Sequence, residues 1–180
     1  NEDCPPSVNK IADVILTSIK ENCAKYNLEE PVLYIEPGRS IVGTAGFTLY
    51  TIGSNKVVPQ IGKKYIAVDG GMADNPRPSM YGAKYTAEIA NNKENEPIEK
   101  VTVAGRFCES GDILIKDIEL PRTQTGDILC VYNTGAYGYS MSSNYNRVLK
   151  PAMVLVNNSQ SDIIVKRETY EQLTQNDVIL

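Results

Sequence analysis

The chain of 180 residues contains no histidine. That absence excludes a Ser-His-Asp or Cys-His nucleophilic system within it, and leaves acid–base work to cysteine, lysine, tyrosine and carboxylates. Its four cysteines, at positions 4, 23, 108 and 130, include no C-x-x-C pair. A Cys/His zinc site is therefore not expected, and no metal is assigned. Cysteines this sparse do not make a disulfide framework, which points to a reducing, cytoplasmic setting. No apolar run is long enough to span a bilayer, and the polar start of the chain, with Pro5 and Pro6, does not read as a signal peptide. The net charge of −4 comes without a basic stripe, so neither nucleic acid nor membrane is an expected partner.

What is present divides the chain in two. Apolar residues make up 42% of it, near the low edge of ordinary globular usage, so a packed core is expected. Ser7 is a candidate cap for a helix over 7–26, because Ile11, Val14, Ile15, Ser18, Ile19 and Ala24 follow a helical period. Glu29, Glu30 and Pro31 break it, and Val32-Leu33-Tyr34-Ile35 reads as a buried strand. A helix followed by a buried strand belongs to a parallel α/β body, which one such pair cannot complete, so residues 1–42 are expected to be a remnant of something larger. Beyond residue 42 the apolar stretches are short and β-rich: 47–52, 65–69, 83–90, 101–104, 113–115, 128–132, 152–156 and 163–165. Gly, Pro, Asn or Asp clusters separate them, as in an antiparallel sandwich or barrel, so 43–180 is expected to form a β domain. Residues 91–97 read as a solvated loop and 167–177 as a short terminal helix.

Four loops carry residues capable of chemistry. Glu36-Pro37-Gly38-Arg39 follows the expected strand; its glycine permits close backbone approach and its arginine suits phosphate or carboxylate. A strand-to-turn junction with a solvated arginine is the plainer reading. Asp69-Gly70-Gly71-Met72-Ala73-Asp74-Asn75-Pro76-Arg77-Pro78-Ser79-Met80-Tyr81 is a long irregular loop, readable as a ligand loop or as a connection whose Tyr81 covers core. Cys108-Glu109-Ser110-Gly111-Asp112 places a thiol in a turn, where packing and a thiol acid or nucleophile are comparable readings. Cys130, inside Ile128–Val131, reads as packing. Gly135-Ala136-Tyr137-Gly138 could bring a tyrosine onto a ligand, although such loops are common.

Taken together and in this order, EPGR at 36–39, DGGMADNPRPSMY at 69–81, CESGD at 108–112 and GAYG at 135–138 resemble the diaminopimelate decarboxylase family. That family belongs to the pyridoxal-phosphate decarboxylases built from a (β/α)8 barrel and a β domain. The resemblance implies a mainly β fold. A C-terminal β-sandwich or Greek-key barrel of the alanine racemase C-terminal type would follow the last helix and strand of a truncated (β/α)8 barrel. It implies pyridoxal 5'-phosphate as cofactor, meso-diaminopimelate as substrate, L-lysine and carbon dioxide as products, and a homodimer whose active sites are shared across the interface.

Residue by residue, the resemblance implies that Glu36 faces the pyridine nitrogen, and that Pro37, Gly38 and Arg39 bind the cofactor phosphate, with Arg39 also reaching substrate. Arg77 and Tyr81 would hold the far carboxylate and Glu109 the far ammonium group. Tyr137 would touch cofactor and substrate, and Cys108 would protonate the α-carbon. The Schiff-base lysine and the ring-stacking histidine belong to family segments without a match here; Lys63, Lys64 and Lys84 sit in no corresponding motif. The chain by itself is therefore expected to be inactive. Lys150 and Met153 also depart from the Arg-Pro-Arg-Pro pattern with a following Glu that is common in the family. Two other readings stand beside this one: an ornithine, arginine or lysine decarboxylase relative, and a non-catalytic β module for binding or dimerisation.

Overall fold

A computed structural model describes residues 5–91 and 97–178. The chain forms two compact units, residues 1–36 and 37–180.

The first unit holds helix α1 (Val8–Tyr26). Ser7 caps it as expected, its Oγ accepting the Lys10 amide at 3.2 Å. Asn27 ends it in the left-handed region at φ 53°, and the Leu28 amide returns to the Cys23 carbonyl at 2.9 Å. No residue of α1 is buried; Ile11, Val14 and Leu16 are each 46–57% exposed. The segment Val32–Ile35 differs from its expectation and is not a strand. It has no ladder partner among the described residues, and a β-branched, apolar sequence forms a strand only where a neighbour accepts its amides.

In the second unit six strands form one sheet in the order β3-β6-β1-β2-β4-β5. They are β1 (Phe47–Val58), β2 (Lys63–Val68), β3 (Ala87–Ile89), β4 (Ile98–Ala104), β5 (Ile113–Pro121) and β6 (Ile128–Tyr132). Strand β1 serves both halves. Phe47–Thr51 pair antiparallel with β6, and beyond a register shift between Ile52 and Ser54 the strand pairs antiparallel with β2. An irregularity of this kind bends a strand and increases its twist. The edges β3 and β5 come into contact, so the sheet nearly closes into a barrel. One pairing, β2 with β4, is parallel.

Alternation along the strands sends one face inward. Tyr50, Ile52, Ile66, Val68, Val101, Val103, Leu114, Leu120, Leu129 and Val131 are buried together. Each fully buried aliphatic side chain contributes roughly 1.5–3 kcal/mol. The same alternation corrects the reading of Cys130: with Leu129 and Val131 inside, its thiol lies on the outer face, half-buried. Strand β5 is longer than expected because Asp117, at φ 54°, interrupts its alternation where the register with β4 shifts. The expected strand over 83–90 shrinks to three residues. Of the expected 91–97 loop, residues 92–96 lie outside the described ones. A separate hairpin joins β7 (Met153–Asn157) to β8 (Gln160–Val165) through Asn158 and Ser159, both at positive φ. Helix α4 (Tyr170–Thr174) follows, with a capping box between Thr169 and Gln172.

Glu99 of β4 ties three strands. It accepts a hydrogen bond from Lys64 on β2 and another, at 3.3 Å, from Arg122 at the end of β5. The Lys64 hydrogen bond is the first cause that holds its carboxyl below the usual range. A depressed folded-state pKa means stability present above the ordinary glutamate value and lost as pH falls below it. Glu99→Gln is therefore expected to cost about 1 kcal/mol at neutral pH. The gap to wild type should narrow as pH falls below the ordinary glutamate value of about 4.3 and close only below the depressed range of Glu99. Urea unfolding across this pH range measures it.

Candidate functional site

Two glycines pressed backbone to backbone bring the first and last of the four loops together. Helix α2 (Gly38–Val42) begins directly after Pro37, whose carbonyl accepts the Ser40 amide at 2.8 Å and the Ser40 hydroxyl at 2.6 Å. It runs into the turn Gly43–Ala45. The Gly43 carbonyl accepts the Gly135 amide at 3.1 Å, and the Gly46 carbonyl accepts the Thr134 amide at 3.0 Å. A Cβ on Gly135 would stand 1.9 Å from the Val42 carbonyl oxygen, and one on Gly46 would stand 2.3 Å from the Gly135 Cα. Only glycine allows this approach. It fixes the exposed Arg39 and the loop of Tyr137 in one local frame.

Tyr137, at φ 58°, places its ring 5.4 Å from the Arg77 guanidinium carbon. The ring of Tyr81 stands 5.5 Å from the same carbon. Arg77 and Tyr81 are the ends of helix α3 (Arg77–Tyr81), an element that the loop-like sequence with its two prolines conceals. Gly82, at φ 62°, stops it. Two aromatic faces thus hold one guanidinium and leave its N–H fork available to a planar anion.

The cysteine loop is built around a buried carboxylate. Asp112 is 3% exposed; its Oδ1 accepts the Met72 amide at 2.7 Å and its Oδ2 the Phe107 amide at 2.8 Å. Burial pushes the Asp112 carboxyl up, and the two amides oppose that rise. A Cβ on Gly71 or on Gly105 would collide with this carboxylate at 2.1–2.7 Å. The Arg106 amide donates to the Gly70 carbonyl at 3.0 Å, and the Asp112 amide to the Glu109 carbonyl at 3.0 Å. Asp74 anchors the other side: it accepts the Gly71 amide at 2.8 Å and the hydroxyl of Tyr50, a core residue. Burial first, and then the Asp74 charge, keep that hydroxyl protonated far above its ordinary range.

Cys108 and Glu109 stand exposed at the tip of this loop. Glu109 accepts a hydrogen bond from the Tyr145 hydroxyl, and Phe107 meets the Tyr145 ring edge-on at 5.5 Å. The loop also lies against α3, since a Cβ on Gly111 would come within 3.1 Å of Ser79 Oγ. The structure therefore gathers Arg77, Tyr81 and Tyr137, and sets Arg39 on the helix packed against the Tyr137 loop. Cys108 and Glu109 form a second group, with no hydrogen bond or ring contact to the Arg77 cluster among the described residues. Glu36 belongs to the first unit. Asp112, Asp74 and Tyr145 carry positions that sequence reasoning did not assign. The signal for Asp112 was there in glycines 71 and 105, which mark a close approach. Tyr145 left none, being separated from Glu109 by two strands, β5 and β6, and their loops.

A family model described as the C-terminal sheet domain of pyridoxal-dependent decarboxylases matches residues 13–135. The diaminopimelate decarboxylase of Bacillus subtilis is 50% identical over 177 residues, which cover 98% of this chain and 40% of that protein. That of Synechocystis is 51% identical, over 98% of this chain and 38% of the relative. The crystal structure of diaminopimelate decarboxylase from M. jannaschii in co-complex with L-lysine superposes with a TM-score of 0.89 at 37% identity, over 100% of this chain and 40% of that one. The Vibrio vulnificus lysine/ornithine decarboxylase shares the fold alone, with a TM-score of 0.53 and 20% identity over 60% of this chain and 29% of that one. The chain spans about two fifths of the length of the curated relatives it matches.

Gly135→Ala forces its methyl group against backbone, which cannot swing away. It is expected to lower stability by about 1–3 kcal/mol in thermal unfolding. Asp112→Ala leaves the amides of Met72 and Phe107 without their acceptor and is expected to cost about 2–4 kcal/mol by the same measurement. Asp112→Asn, which keeps one acceptor oxygen, should cost less than the alanine variant.

Proposed function

Because the chain belongs to the pyridoxal-dependent decarboxylase family through its C-terminal sheet domain, we propose that it serves in a diaminopimelate decarboxylase, which converts meso-2,6-diaminopimelate to L-lysine and carbon dioxide. The observation that carries this reading is the guanidinium of Arg77 over the rings of both Tyr81 and Tyr137, at 5.5 and 5.4 Å. Such a preformed fork suits a substrate with a second carboxylate, and ornithine, lysine and arginine have none. The identities near 50% to diaminopimelate decarboxylases, against 20% to a lysine/ornithine decarboxylase, support the same choice.

The residues present fit the family's cofactor, pyridoxal 5'-phosphate, by their donor chemistry. The glycine-permitted contact of Gly135 with α2 sets Arg39 and the backbone at Pro37 and Gly38 in the same frame as the Tyr137 loop. A guanidinium and turn amides suit a phosphate, and a tyrosine suits the ring beside it. The family resemblance assigns the pyridine nitrogen to Glu36, next in sequence. Bound pyridoxal phosphate supplies an electron sink for the pair released when carbon dioxide leaves.

The chain's own side chains do the rest. Arg77 and Tyr81 orient the substrate by its far carboxylate, Arg39 also reaches the substrate, and Glu109 pairs with its far ammonium group. The Cys108 Sγ–H gives its proton to the α-carbon, and the exposed thiolate regains one from solvent. An amine without the far carboxylate leaves Arg77 unpaired, which disfavours it. The exposed Cys108–Glu109 pair, apart from the Arg77 cluster, fits a homodimer in which this loop completes the site of a second copy. Residues 1–36, whose apolar helix face is exposed, fit the end of the barrel domain that would hold the covalent lysine. The free thiols of Cys23, Cys108 and Cys130 fit a reducing cytoplasm.

The test is turnover by the intact native protein of meso-diaminopimelate against L-ornithine, L-lysine and L-arginine, with and without Cys108→Ala. Wild type should turn over meso-diaminopimelate alone. Cys108→Ala should lower kcat by about 10²–10⁴-fold with cofactor binding retained. Preference for one of the other amino acids overturns the substrate assignment, and unchanged turnover in the variant removes Cys108 as proton donor.

A further inference from the structure

Tyr145 touches the residues on both sides of Cys108. Its hydroxyl donates to Glu109 Oε1, and its ring meets Phe107 edge-on at 5.5 Å with an interplanar angle of 82°. Cys108 lies between these two contacts and is exposed. The main-chain carbonyl of Glu109 already accepts the Asp112 amide, so the Tyr145 bond orients the side chain of a residue whose backbone is fixed.

The segment that carries Tyr145 is itself held firmly. The Ser143 amide donates to the Ala73 carbonyl at 2.8 Å. The Asn144 carboxamide donates to the Val148 carbonyl at 2.9 Å and to Glu168 at 2.5 Å. Arg147 pairs with Asp177 at 2.5 Å. Asn146 and Arg147 take left-handed conformations at φ 51° and 55°. A tyrosine on such a turn is a fixed post, and the loop tip of Cys108 and Glu109 leans on it.

We infer that Tyr145 is a positioning and specificity-determining residue, whose hydroxyl aims Glu109 at the far ammonium group of the substrate and whose ring, through Phe107, sets the place of Cys108. The inference rests on the substrate reading above and adds a division of labour within one side chain. The Glu109 hydrogen bond, its largest influence, raises the Tyr145 pKa, so the hydroxyl remains the donor at neutral pH. A carboxylate that is oriented before substrate arrives loses less rotational freedom on binding. A thiol that is displaced slightly from its line of attack loses far more in rate than in affinity.

The two functions separate in two variants of the intact enzyme. Tyr145→Phe keeps the ring and is expected to raise KM for meso-diaminopimelate about tenfold, with kcat within about threefold of wild type. Tyr145→Leu also removes the edge contact and is expected to lower kcat by a further tenfold or about that. If the hydroxyl acts through Glu109, the double variant Tyr145→Phe, Glu109→Gln should fall within about twofold of Glu109→Gln alone. Amide hydrogen exchange across residues 107–112 should be faster in both Tyr145 variants.

An unchanged KM in Tyr145→Phe while Glu109→Gln raises it overturns the inference and leaves the substrate reading standing. So do additive effects in the double variant. If Glu109→Gln itself leaves KM unchanged, the place given to Glu109 in the substrate reading fails. Hydrogen exchange then decides the loop contact separately: faster exchange in Tyr145→Phe upholds the positioning role, and unaltered exchange removes it.

Discussion

The two amide hydrogen bonds to the Asp112 carboxylate hold the candidate site of the second unit together. They join Met72, in the loop after β2, to Phe107, in the loop after β4. These strands are the one parallel pair among the described residues, so both loops leave from the same end. Parallel neighbours need a long connection, and their loops have no hairpin to set their spacing. A buried acceptor between them supplies it. The cost is desolvation of a carboxylate, which the two amides offset, and it demands glycine at 71 and 105, since any side chain there would occupy the acceptor's space.

From that bond the constraint spreads through residues 69–74. Asp74 reaches down to Tyr50 in the core, Gly70 takes the Arg106 amide, and Ala73 takes the amide of Ser143, near the turn that carries Tyr145. One short segment thus connects the barrel interior, the cysteine loop and the post on which that loop leans. Helix α3 leaves the same segment a few residues later, so the arginine clamp begins from backbone already fixed. Precision at exposed side chains comes here from buried polar atoms a few residues away, which is where rigid support for a site has to be placed.

The sequence made the periodic parts of this molecule legible and left the aperiodic parts open. Helix α1 announced itself through Ser7 and its apolar spacing, and β1, β2, β4 and β6 through short β-rich runs. Val32–Ile35 carried the composition of a strand, but composition cannot supply the neighbouring ladder. The far half of β5 was concealed because the left-handed Asp117 breaks the alternation that would have revealed it. Cys130 went to the outer face because period-two alternation overrides the apolar character of its neighbours. At the candidate site, the ordered motifs supplied the candidate residues. The pairing of Arg77 with two tyrosines, one local and one 60 positions on, depends on the Gly46–Gly135 contact and could not be read from spacing.

In the proposed function these two kinds of contact would divide the selection of substrate between them. The Arg77 fork is positioned by rings, which do not compete for its N–H donors, and among the described residues it has no salt bridge that a carboxylate would have to break. Glu109 is positioned by a hydroxyl, which occupies one carboxylate oxygen and leaves the other for a cation. Each charged group is therefore oriented by a neutral partner. An opposite charge in either place would have neutralised the group and competed with the ligand for it.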